Sequence, residues 1–296
     1  MLRDDELDRA VGWFRGQPLM EERFAAAIRK SFDEVFDGQR TGRYRLEQLS
    51  KVEKTYIGTK IEIVVQDEFG LQRGRRLDYL VDEQEVDSKW SMKSGGWMIP
   101  TEAVGELCLC LTGDDNESVF QVGMVRIDDA RLKRGENKDK KRSLNKDGLS
   151  AMTWLINRGA LAENLLLHLD ELTRDAILNE SLSGQGRVTE LFRRVQRRIV
   201  RREVVLTVAR QHDGPKRVRD ARHALRPEGV IVLGHQGSHP RIATSLGLEL
   251  PPKGSWLSCR VVRDRGEGQT TAKIEGAAWR LARTNDPPEL GPQDYT

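Results

Sequence analysis

Asp78, Asp87 and Lys89 stand in a stretch, RRLDYLVDEQEVDSKWSMKSGG, whose apolar half-alternation otherwise argues for paired strands. Alternate side chains of a strand point to opposite faces, so Asp87 and Lys89, two apart, share one. With DEQE (82–85) as the turn, Val81 pairs with Val86, Leu80 with Asp87 and Asp78 with Lys89. Asp78 then joins the same face at a cross-strand spacing of about 5 Å. Just upstream, KIEIVVQ (60–66) is β-branched and apolar apart from Glu62, and is expected to be a buried strand. A lone buried carboxylate is costly, so Glu62 needs a cation or a strong hydrogen-bonding partner.

Carboxylates converging on one point are hard oxygen ligands of the kind that suits Mg²⁺, which binds through one or two of them plus a substrate phosphate. Glu62, Asp78 and Asp87 are the expected metal ligands, and Lys89 is placed to orient an attacking water and to stabilise charge on phosphorus. This is phosphodiester hydrolysis. The plainer alternative is a surface hairpin with an ion-pair cluster of little consequence. Acid-any-Lys triplets also occur at Glu136–Lys138 and Asp139–Lys141, inside RLKRGENKDKKRSLNKDG, which has no apolar periodicity and reads as a solvated loop. Asp78 in cross-strand register and Glu62 in an apolar run separate the Asp87 triplet from those two.

The elements that must hold such a site can be sketched from the rest of the chain. At 296 residues, two domains are expected, 1–148 and 149–296, with the charged loop near 131–148 at the boundary. The first 150 residues carry 26 Lys plus Arg against 29 Asp plus Glu, the remainder 23 against 17, so the acid-rich site and the surplus positive charge lie in different halves. The segments 4–16 and 20–38 have helical apolar spacing, and RYRLEQLSKVEKTYIG reads as a third helix running into the buried strand. GELCLCLTGD and SVFQVGMVRID complete a mixed α/β layer. From residue 149 the leucine spacing predicts mostly helix. Cys108, Cys110 and Cys259 form no paired framework and no zinc spacing, which fits buried thiols in a reducing cytoplasm. Neither a signal peptide nor an apolar window long enough to span a membrane is present, so a cytoplasmic protein is expected.

The most basic stretch, 187–226, has 13 Lys or Arg against 4 acids. Within it ELFRRVQRRIVRREVVLTVARQ reads as one helix with an arginine face. GPKRVRDARHALRPEGVIVLG reads as a proline-started helix and a strand, and SHPRIATSLGLELP as a further helix. Helix, turn, helix and a strand pair would make a winged helix-turn-helix whose recognition helix enters the DNA major groove. Candidate DNA contacts there are Arg193, Arg197, Arg217, Arg219, Arg222, Ser238 and Arg241. Beside the acidic site, Lys93, Gly95 and Gly96 in KSGGW suit a close approach to a phosphate backbone.

DGQRTGRY (37–44), VEKTYIGTKIEI (52–63) and the Asp78, Asp87, Lys89 pattern together resemble the NaeI restriction endonuclease family over nearly the whole chain. The resemblance implies an α/β (α+β) restriction-endonuclease-like core of the PD-(D/E)XK type, followed by a mainly helical winged helix-turn-helix domain. It further implies a homodimer cutting double-stranded DNA with Mg²⁺ at a palindrome, and a second DNA copy per protomer as allosteric effector. The positions matching its catalytic centre are Glu62, Asp78, Asp87 and Lys89. VFDGQR (35–40) looks like the Lys-any-Asp-Gly box of DNA ligases, but Val35 stands in the lysine's place, and an apolar side chain cannot attack a nucleotide. Two other classes fit the residues, a non-cleaving DNA-binding regulator and a structure-specific repair nuclease that reads DNA shape.

Overall fold

Asp4 caps the first helix, α1 (Asp5–Arg15), by accepting the Leu7 N–H at 3.0 Å, and the second, α2 (Met20–Phe36), follows after a short turn. In the computed structural model, which describes residues 4–135, 137–266 and 270–295, the chain divides into two compact units. One comprises Met1–Phe36 with Arg45–Asn164, the other Asp37–Tyr44 with Leu165–Thr296. The break expected between residues 148 and 149 therefore falls after Asn164. The reason is a strand that the leucine pattern concealed. Glu136 of the rival triplet lies outside the described residues.

Helix α2 ends at Phe36, Asp37 turns the chain in the left-handed region (φ 48°), and the one-turn helix α3 (Gly38–Thr41) belongs to the second unit. A Cβ at Gly38 would collide with the Thr207 hydroxyl, so the DGQR segment serves close packing against residue 207. Back in the first unit, α4 (Lys51–Phe69) absorbs the whole of KIEIVVQ, and Glu62 lies on a helix instead of a strand. Ser50 and Glu53 form a reciprocal capping box at its start, Gly70 closes it in the left-handed conformation, and Ile57, Ile61, Val64, Val65 and Phe69 bury one face. Two matched termini and a helical stripe outweigh a modest β preference.

The first unit's sheet runs β1 (Gln72–Arg73), β2 (Tyr79–Val81), β3 (Gln84–Ser91), β4 (Leu107–Asp114), β5 (Val119–Arg126), then α5 (Lys146–Ser150) and β6 (Thr153–Ala160). The strands lie in sequence order, with β3 and β4 parallel and the other pairs antiparallel. Pairing of β6 with β5 carries the unit to Asn164. On one face Val86, Leu107, Leu109, Leu111, Val122 and Met124 join the core formed with α1, α2 and α4. On the other, Cys108, Cys110, Val125 and Ile127 pack with Trp97, Ile99 and Met152. Asp87 and Lys89 lie opposite Cys108 and Cys110 in the parallel ladder and share this second face.

The second unit joins its helices to a five-stranded sheet. It continues with α6 (Glu171–Ile177), α7 (Gly184–Arg194), β7 (Ile199–Arg201), α8 (Arg202–Ala209), α9 (Gly214–Leu225), β8 (Val230–Leu233), α10 (His239–Ser245), β9 (Ser255–Arg263), β10 (Thr271–Ile274) and β11 (Ala277–Leu281). Strand β9 pairs with β7, β8 and β11, and β10 completes a five-stranded sheet. The predicted single arginine helix is broken after Arg194, where Arg197 takes a left-handed φ of 59° and β7 intervenes before α8. Alternating Ile199, Val200 and Arg201 join the sheet, so the paired arginines never share one helical face. Among the described residues no helix is long and apolar enough to cross a membrane.

Candidate active site

The turn between β2 and β3 sets the geometry of the site. Asp82 and Glu83 both have positive φ, 47° and 65°, which makes a two-residue turn whose twist matches the flanking strands. The pairs are Tyr79 with Val86, Leu80 with Glu85 and Val81 with Gln84, so Gln84 and Glu85 join the ladder instead of the turn. The register thus differs by two residues from the expected one. A shift of two leaves every side chain on its expected face, whereas a shift of one would have scattered them. Asp78, one residue before β2, falls opposite Asp87 instead of Lys89.

Asp78 Oδ2 accepts the Ser88 N–H at 2.7 Å and lies 3.7 Å from Lys89 Nζ. Lys89 Nζ donates to Asp87 Oδ1 at 2.7 Å and to the Ser88 carbonyl at 2.9 Å. The Cys108 thiol donates to the other Asp87 oxygen at 3.8 Å. Asp87 is buried, while Asp78 and Lys89 are half-buried. Glu62 enters from α4, and its charge is felt with that of Asp78, Lys89 and Asp87. The four residues expected to form the site therefore come together, from a helix, a strand and the residue preceding a strand.

Burial, reinforced by the charge of Asp78, raises the Glu62 carboxyl above its ordinary value. Burial likewise raises Asp87 against the lowering effect of Lys89. Burial works to lower the Lys89 ammonium, but Asp87 and Asp78 outweigh it and hold it above the usual lysine value. Lys89 is consequently charged at neutral pH, a donor and not a base. Asp78 and Asp87 against one ammonium, with Glu62 within electrostatic reach, leave an excess of negative charge that a divalent cation would neutralise, and the carboxylate donors are hard oxygens. Among the described residues no group of three or more carboxylate, histidine or cysteine side chains is gathered closely enough to hold a metal ion by itself. An ion that keeps several waters and takes only one or two carboxylates plus a substrate phosphate suits such an open arrangement.

Tyr79 is a contributor that sequence reasoning missed. Its ring is buried, and its hydroxyl donates to the Glu62 carbonyl at 2.8 Å, fixing α4 to the strand that follows Asp78. Its place directly after Asp78 was the available signal. Arg73, opposite Tyr79 in β1, also acts on the Glu62 charge.

The candidate DNA contacts scatter. In the first unit exposed Lys93 starts a turn closed by the Gly96 N–H on the Lys93 carbonyl at 3.0 Å, with Gly95 at φ 79°. In the second unit Arg193 is held by Glu228 and Glu190, and Arg197 donates to the Ala282 carbonyl at 3.3 Å. Arg217 pairs with Asp213 at 2.7 Å, and Arg222 turns inward to the Val232 carbonyl at 2.9 Å. The Ser238 hydroxyl donates to the Tyr295 carbonyl. Arg219 and Arg241 remain exposed.

Comparison with known proteins gives a concordant result. The sequence model of the family described as Restriction endonuclease NaeI matches residues 14–289. A relative named Type II restriction enzyme NaeI, from Lentzea aerocolonigenes, is 41% identical over 294 residues, spanning 96% of this chain and 92% of the relative.

Tyr79→Phe removes one buried hydrogen bond and is expected to lower unfolding free energy by about 1 kcal/mol in urea titration. The same variant should need more divalent cation for half-maximal activity, because Glu62 is less firmly placed. An unchanged cation requirement would detach Tyr79 from the site.

Proposed function

This chain belongs to the NaeI restriction endonuclease family and is a site-specific deoxyribonuclease, and from that premise we propose that it hydrolyses both strands of duplex DNA at a short palindrome using Mg²⁺ held by Glu62, Asp78 and Asp87. The observation that carries this reading is Asp78 and Asp87 set against the single Lys89 ammonium, with Glu62 of α4 within electrostatic reach of all three. A bound Mg²⁺ supplies Lewis-acid stabilisation of phosphoryl charge and promotes ionisation of water. Lys89, kept protonated and aimed by Asp87, donates to the attacking water and to the non-bridging oxygens as their charge grows. Asp78, oriented by the Ser88 N–H, lies against the same ammonium group and is the other carboxylate beside it. In-line attack on phosphorus then releases a 3′-hydroxyl and leaves a 5′-phosphate.

Cutting both strands of a palindrome requires two sites related by a two-fold axis, so the working form in this reading is a homodimer. The second unit supports a winged helix-turn-helix reading. Helices α7, α8 and α9 pack together, β7 precedes α8, and β8 and β9 follow α9 in the three-stranded order β7, β9, β8. Helix α9, the second of the α8–turn–α9 pair, takes the place of a recognition helix and exposes Lys216, Arg219 and His223. In this reading α9 binds the second DNA copy, the allosteric effector, while the acidic cleft binds the copy that is cut.

Asp87→Ala should abolish Mg²⁺-dependent plasmid cutting while leaving DNA binding close to that of the parent chain. EDTA should do the same to the parent. Persistent cutting in either case would remove Asp87 or the metal from the mechanism. Because Glu62 and Asp87 hold protons to higher pH than ordinary carboxylates, activity should decline on mild acidification and recover when Mg²⁺ is raised at the same pH. Failure of Mg²⁺ to restore it would dissociate those protons from metal binding.

Lys216→Ala with Arg219→Ala should flatten the dependence of log affinity on log salt by about 0.9 for each lost phosphate contact. An unchanged slope in filter binding would take α9 off the DNA.

A further inference from the structure

We propose that the loop leading into Asp78, residues 73–77, is a phosphate clamp of the cleavage site, in which Arg73 and Arg75 bind DNA phosphates beside the one that is cut and Glu85 is the positioning residue that shapes the loop. The loop, RGRRL, is wound around one carboxylate. Glu85 accepts the backbone N–H groups of Arg75 at 2.8 Å, Arg76 at 3.2 Å and Leu77 at 3.0 Å. The Gly74 N–H closes the loop on the Asp78 carbonyl at 3.3 Å. A Cβ at Gly74 would meet the Leu77 carbonyl and would lie 2.7 Å from Glu85 Oε2, so the winding is tight enough to demand glycine.

With its backbone donors turned inward onto Glu85, the loop sends its arginines outward. Arg73, Arg75 and Arg76 are all exposed. Arg76 is engaged by Glu106, whereas Arg73 and Arg75 are in no ion pair among the described residues. Arg73 lies directly opposite Tyr79, whose hydroxyl reaches Glu62, and it is near enough to act on the Glu62 charge. Two guanidinium groups outside any ion pair among the described residues therefore stand in the loop that leads into Asp78, Arg73 within electrostatic reach of Glu62. Their chemistry suits bidentate recognition of phosphate oxygens, and their position offsets the repulsion that carboxylates exert on an approaching backbone. The inference rests on the reading that Asp78 lies beside the scissile phosphate.

The test uses the full chain and a duplex oligonucleotide carrying the site mapped from a digested plasmid, with affinity measured in EDTA at several salt concentrations. Arg73→Ala with Arg75→Ala should weaken binding by on the order of tenfold per arginine. It should also reduce the salt slope by about 1.8, at about 0.9 for each contact. Lysines at both positions should keep the slope. Glu85→Gln should weaken binding several-fold with an intermediate slope, because the arginines remain but are no longer held. Single neutral methylphosphonates placed along each strand should cost the parent chain affinity at one or two phosphates next to the cut, and should cost the double alanine variant nothing there. Equal slopes for parent and double variant, or equal methylphosphonate losses, would overturn the clamp; parental affinity in Glu85→Gln would overturn the positioning role. Since binding is read without divalent cation, failure of the metal centre would appear separately, as plasmid cutting that survives EDTA or Asp87→Ala while these binding differences remain.

Discussion

The dependence of the site on one ammonium group is its governing constraint. Lys89 stands between Asp87 and Asp78, with Glu62 within electrostatic reach, and burial keeps water from diluting the interaction. One ammonium does not balance the carboxylates within its reach, and in the proposed function that excess is what a divalent cation would meet. The alternation of β3, the tight Asp82–Glu83 turn, the Tyr79 hydroxyl bond to α4 and the thiol behind Asp87 all hold that imbalance in place. Such tension is unfavourable for folding and useful for binding a divalent ion together with a phosphate.

What could be read from the sequence, and what could not, follows from the same physics. Asp87 and Lys89 were legible as a pair because a strand's two-residue period is strict. Asp78 was legible on the same face even though the turn was taken as too long, because the resulting error in register was an even number. Glu62 was singled out as a carboxylate in an apolar run, but on the wrong element, and it lies on α4. The β-branched run drew attention from Ser50, Glu53 and Gly70, which mark the ends of a helix long enough to enclose it. Strand β6 was hidden by leucines at helical spacing, and its pairing with β5 moved the boundary between the units.

The arginines were the least legible feature. Spacing alone put six of them on one helical face, yet some are tied to acids and carbonyls distant in sequence, such as Arg193 to Glu228 and Arg197 to the Ala282 carbonyl. An arginine committed to an internal carboxylate or carbonyl contributes to shape; one left in solvent contributes to the field that a polyanion meets. By that distinction the proposed DNA contacts rest on exposed arginines, Arg219 on α9 and Arg73 and Arg75 before β2.

Anomalous diffraction from crystals grown with uncut cognate duplex and Mn²⁺ in place of Mg²⁺ tests the centre most directly. The expected result is a peak coordinated by Asp78 and Asp87 carboxylate oxygens and a DNA phosphate oxygen, with Lys89 Nζ within hydrogen-bond distance of a water in line with the scissile bond. A peak remote from these aspartates, or an ordered duplex in the cleft with no peak there, would contradict it.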